Sequence, residues 1–183
     1  MATATWTGVV GLPLIERRTG RRLGVVEDFL VSAPDGHVMG LLLDGRDRNG
    51  RQRVFPFEAV AEIGSGAILT EEAGALLPVP DGRRLGELLA RHRRLIGKPV
   101  VDGHGDALGG IVDVAFDAGS GRITAIGVAD GLWRELREGP RWLPAAQGIV
   151  WGEDAVILGG EELRDRRRIA AVEPGAGEFG EDG

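Results

Sequence analysis

Cysteine is absent from all 183 residues of this chain, which excludes a disulfide framework, a thiolate metal site and a cysteine nucleophile together. The same absence suits a reducing compartment, and the expected location is the cytoplasm. Lysine occurs once, as Lys98, among 22 basic residues; the arginine bias points to a GC-rich, bacterial-type genome rather than to a binding surface. Basic residues are outnumbered by 28 acidic ones, leaving a net charge of −6, and that disfavours broad contact with nucleic-acid phosphates. Nowhere do 18 apolar residues run together, and Met1 to Trp6 has neither a basic nor an apolar signal-like region; neither a membrane span nor a secretion signal is expected.

Glycine, by contrast, is abundant: 31 residues against 9 prolines, with 43% of the chain hydrophobic. Scattered at turn-like spacing, so many glycines suit short strands joined by tight loops better than long helices, whose interiors each would weaken by about 1 kcal/mol. The chain reads as mainly β. It also repeats itself. Leu23-Gly-Val-Val-Glu-Asp28 through Gly36 to Leu43 is matched 85 positions later by Leu108-Gly-Gly-Ile-Val-Asp113 through Gly121 to Val128, with Gly20 and Gly105, Leu23 and Leu108, Gly24 and Gly109, Asp28 and Asp113, and Gly36 and Gly121 identical. Self-similarity at fixed spacing means one supersecondary unit used twice.

Within the first unit, the apolar stretch Thr5 to Ile15 predicts a strand entering a turn at Gly20. Strands over Leu23–Val31 and Val38–Leu43 flank a Pro-Asp-Gly36 turn, and Pro56 marks the next strand as an edge, bulge or bend. A last short strand is expected at Ala67–Thr70. The second unit keeps this plan until a loop after Val128 that is three residues longer, so that Pro144 answers Pro56. Boundaries follow: a first barrel over 1–77, a linker over 78–95, a second barrel over 96–160, and a helix with an acidic, glycine-rich tail over 161–183. In the linker, Leu85, Leu88, Leu89, His92 and Leu95 fall on one helical face and predict a short amphipathic helix.

The Leu-Gly-x-Val/Ile-x-Asp signature, its glycine turns and the following Pro-containing strand resemble the PRC-barrel family. That small barrel also occurs in the cytoplasmic domain of the photosynthetic reaction-centre H subunit and at the C-terminus of the ribosome maturation factor RimM. The resemblance implies two barrels of about six strands, no shared catalytic residues, and a role in holding other proteins or RNA–protein particles; that last step is analogy from fold.

No residue pattern argues for catalysis, a cofactor or a metal. Asp28 and Asp113 are the most tempting acid pair, yet as repeat equivalents they are expected to fix a strand or turn through backbone bonds. Asp102-Gly-His104-Gly-Asp106 reads as a surface turn without the histidine or cysteine support of a metal site. Ser32, Ser65 and Ser120 lie in turns with no nucleophile elbow, and the glycines at 103 and 105 lead into a strand, unlike a dinucleotide fingerprint. The expected function is that of a non-enzymatic scaffold or adaptor for a protein partner, touching it through Leu132, Trp133 and Leu136 in the inserted loop. The alternatives are an RNA-associated or ribosome-assembly role using the arginine clusters at 91–94 and 164–168, and a small ligand held in a barrel mouth.

Overall fold

A computed structural model describes residues 2–32, 36–46, 52–71, 73–75, 77–78, 95–129, 139–145, 149–152 and 154–159. The chain opens with strand β1 (Thr3–Thr5) and one helical turn, α1 (Trp6–Val9). The first unit then runs β2 (Pro13–Glu16), β3 (Arg22–Ser32), β4 (His37–Arg46), β5 (Gln52–Pro56), β6 (Glu62–Ile63) and β7 (Ile68–Thr70), with β8 (Leu77–Pro78) following. The second runs β9 (Pro99–Asp102), β10 (Ala107–Asp117), β11 (Ile123–Ala129), β12 (Arg141–Pro144), β13 (Ile149–Trp151) and β14 (Val156–Leu158).

Both sheets have the same order. In the first it is β6-β7-β2-β3-β4-β5, and in the second β13-β14-β9-β10-β11-β12. Each contains one parallel pair, β2 with β7 and β9 with β14, in matched register: Leu14 faces Ile68 as Val100 faces Val156. Two tandem β units are therefore present, as the repeat requires. The strand before the Gly20 turn stands 86 residues from its counterpart, because the second turn is one residue shorter.

Irregularities repeat as well. Extra residues interrupt the ladders at Leu23 and Leu108, at Glu27 and Val112, and at Met39 and Thr124. A bulge bends a strand and sharpens its twist, so three bulges at equivalent places curl both sheets alike. The glycine after the first bulge answers crowding: a Cβ on Gly24 would lie 3.0 Å from Arg53 and Asp44, and one on Gly109 only 2.4 Å from the carbonyl oxygen of Ala129.

The apolar stretch Thr5 to Ile15 does not form the single strand its composition suggests. Thr5 Oγ1 accepts a hydrogen bond from the Gly8 N–H and starts the helical turn, and Gly11 adopts φ 91°. Only Pro13–Glu16 is left for the hairpin. The residues ahead of the turn cross to the other unit, where Thr3–Thr5 pairs antiparallel with Ala115–Asp117.

One continuous core joins the units. Phe116, fully buried on β10, meets two rings of the first unit edge to face, Phe29 at 5.2 Å and Phe57 at 5.9 Å. The glycine turns also exchange bonds: Val38 N–H donates to Gly121 O and Ile123 N–H to Gly36 O, each at 2.8 Å. The second bond is the first carried forward by the repeat, so the two hairpins meet about a local pseudo-twofold axis. A Cβ on Gly121 would sit 2.7 Å from Val38 O, whereas one on Gly36 would meet Trp151 at 3.3 Å; what the two tips share is a positive φ, 59° at Gly36 and 73° at Gly121.

Except at its end, the linker helix expected from Leu85 to Leu95 lies outside the described residues, as does the arginine cluster at 91–94. Its last apolar position, Leu95, occupies a turn leading to Gly97. No helix among the described residues is long and apolar enough to cross a membrane.

Candidate functional site

The aspartates repeated at 28 and 113 sit directly after equivalent bulges, where the ladder leaves a backbone group without its usual partner. Each carboxylate accepts the next residue's N–H: Asp28 Oδ1 from Phe29 at 2.8 Å, Asp113 Oδ1 from Val114 at 2.7 Å. This is the local Asp-to-backbone bonding that makes the residue useful at irregular strand positions.

Each carboxylate also binds α1. Trp6 donates its indole Nε1–H to Asp28 Oδ1 at 3.0 Å, while Thr7 donates its N–H to Asp113 Oδ1 at 3.1 Å and its hydroxyl to Asp113 Oδ2 at 2.5 Å. Two consecutive residues thus tie the equivalent aspartates of both repeats. Asp113 is buried, and both its oxygens face donors from the protein. Beside Asp28, a depression lined by Trp6, Phe29, Val31, Leu95, Ile96 and Val114 has room for little more than a water molecule. Both carboxylates fasten α1 to the strands, Asp113 through both oxygens and Asp28 through Oδ1.

The turn after β9 is organised by an aspartate in the same way. Asp102 Oδ1 accepts the N–H groups of His104 and Asp106, both at 2.9 Å, leaving His104 on an exposed turn. Ser120 donates its hydroxyl and its N–H to Asp117 Oδ1, each at 2.7 Å. Those bonds, the hydroxyl's first, hold the Asp117 carboxyl below the usual aspartate range. Among the described residues no group of histidines and acids is placed to hold a metal ion. Leu132, Trp133 and Leu136 lie outside the described residues, as does the cluster at 164–168.

A second repeated contact escapes a reading that aligns only identical residues at one spacing. Arg53 on β5 donates to Leu23 O at 2.9 Å, and Arg141 on β12 donates to Leu108 O at 3.3 Å. The signal was available, because these arginines stand at the same longer spacing as Pro56 and Pro144.

Fold and site together define a duplicated β protein with a packed core among its described residues, whose repeated aspartates tie strands and α1 together. The model of the PRC-barrel domain matches it twice, over residues 4–77 and 89–163. The chain belongs to the PRC-barrel family, a family of non-catalytic domains, and carries the barrel in tandem. A search among curated proteins returned no match.

Proposed function

We propose that this protein is a non-enzymatic, cytoplasmic scaffold or adaptor that binds another protein through its paired PRC-barrels. The observation that carries this reading is the packed core of the described residues. Phe55, Phe116, Leu14, Leu41, Leu43, Ile111 and Ile126 are fully buried in one core, and the repeated aspartates are held by Trp6, Thr7 and their own strands. Recognition then falls to outer surfaces and loops held by a stiff double frame. The inserted loop with Leu132, Trp133 and Leu136 supplies aromatic and aliphatic side chains of the kind that anchor partner contacts. Absence of cysteine supports a reducing location.

The test is affinity capture by the tagged full-length chain from native lysate, with and without nuclease, at low and high salt. The expected result is a protein recovered in fixed proportion under all four conditions and lost with Trp133→Ala. Recovery that disappears with nuclease and weakens steeply with salt would instead establish the RNA-associated role, which the net charge of −6 disfavours.

A further inference from the structure

Duplication gives this molecule an internal control, since the same face of the same four strands can be compared in both units. In the first unit an outward row crosses β6, β7, β2 and β3 through Glu62, Leu69, Ile15 and Arg22. In the second the equivalent row across β13, β14, β9 and β10 is Val150, Ile157, Val101 and Ala107. The apolar centre is common; the charged ends have gone. The surroundings changed in step. Arg17 in the first unit bridges Glu62 at 2.8 Å and Glu71 at 3.0 Å, and the residues in those three places in the second unit are Gly103, Val150 and Gly159.

An entire ion-pair network is therefore replaced by valine and two glycines. The result is exposure of large apolar groups: Val150 is 56% and Ile157 40% accessible, and they face each other directly across the hairpin. Val150 is also the middle residue of β13, which ends the sheet order. Edge strands are commonly protected from pairing by a charged side chain; Glu62 holds that place in the first unit, and nothing charged does in the second.

We propose that this face of the second unit is where two copies of the chain associate, in a twofold contact centred on Val150. In an isologous contact a residue near the axis meets its own copy. Valine meeting valine carries no like-charge repulsion, whereas the same contact on the first unit would set Glu62 against Glu62. The uncharged row is thus self-complementary on a molecule that is otherwise acidic. Its modest extent falls well short of the roughly 800 Å² per partner of a standard interface, so association is weak and reversible.

Sedimentation of the purified full-length chain from about 10 μM to about 1 mM, the range where weak contacts respond to concentration, tests this. A reversible monomer–dimer equilibrium is expected, and Val150→Glu should weaken it roughly tenfold or more through opposed carboxylates. Because Val150 is exposed, the variant's unchanged melting temperature and circular dichroism show that it is folded; Ile157→Gln should weaken association in the same direction. A chain that stays monomeric throughout overturns the proposal, leaving the face to another partner. So does a dimer of equal strength in folded Val150→Glu, or open-ended growth, which signals a head-to-tail contact. Capture of a heterologous protein is a separate result, so failure here and failure of the adaptor role are distinguishable.

Discussion

Replacing Phe116 with alanine tests whether the two barrels are one folding unit. Phe116 is fully buried on β10, and its ring meets Phe29 at an interplanar angle of 84° and Phe57 at 78°. Truncating a buried phenylalanine generally costs about 3–5 kcal/mol, the upper end applying where neighbours cannot collapse into the space. Here both facing rings belong to the first unit, and each edge-to-face pair adds about 0.5–1.5 kcal/mol beyond burial, so a loss near 4 kcal/mol is expected. For a chain of this size each kcal/mol moves the melting temperature by about 2–4 °C, giving a fall of roughly 8–16 °C. Scanning calorimetry with urea unfolding, followed by fluorescence and far-ultraviolet circular dichroism, is the assay. Loss of this side chain from a shared core should move a single transition, probe-independent, to lower temperature. Two transitions with only one displaced, or a loss below about 1 kcal/mol, would refute the shared core.

Other positions separate structural from chemical roles. Asp113→Ala removes the acceptor for Thr7 N–H, Thr7 hydroxyl and Val114 N–H; Thr7 is exposed and can turn to water, but the Val114 N–H is left buried, so urea unfolding should show a loss of about 1–3 kcal/mol. Asp28→Ala, at a half-exposed site that can admit water, should lose about 1 kcal/mol. Gly109→Ala sets a Cβ 2.4 Å from a carbonyl oxygen at φ 122°, so expression and melting should show a loss above about 3 kcal/mol; Gly24→Ala, with ordinary φ and nearest atoms at 3.0 Å, should lose less. Asp117 carries a lowered carboxyl value in the fold. Its stabilising contribution is therefore present above the unfolded-state value, near pH 4, and is lost as pH falls through the folded value. Ser120→Ala should raise the Asp117 titration midpoint in carboxyl carbon NMR; an unmoved midpoint would contradict the dominance of the Ser120 hydroxyl bond.

What could be read in advance follows from how local each constraint is. Gly36 and Gly121 are needed for positive φ at hairpin tips, Pro56 and Pro144 end their strands, and Asp28 and Asp113 bond the next N–H. Each is a demand made within a few residues, and each appears as an identity in the repeat. The strap formed by Thr3 to Thr7 is the opposite case. Its partners, Asp113 and Ala115–Asp117, lie more than a hundred residues away, and a single helical turn is too short to leave a 3.6-residue period. The apolar row was hidden differently. Val150 and Ile157 read as ordinary strand residues, and only their exposure, set against the Glu62–Arg17–Glu71 network in the other copy, gives them meaning.

Joining two barrels in one polypeptide allows what two separate identical subunits could not sustain. Identical copies related by a twofold axis must present the same surface twice and strap each other twice. In this chain Trp6 and Thr7, adjacent in sequence, hold Asp28 of one repeat and Asp113 of the other. The contacts at the axis, Val38 with Gly121 and Ile123 with Gly36, still obey the symmetry, because a change on one side there would strain the other. Away from the axis that restraint vanishes. The first unit can keep Glu62 and its ion pairs as protection for its edge, while the second replaces them with Val150 and glycine at little cost to either core. Asymmetry is therefore expected to collect on outer faces far from the junction, where substitution in one repeat leaves the packing of Phe29, Phe57 and Phe116 untouched.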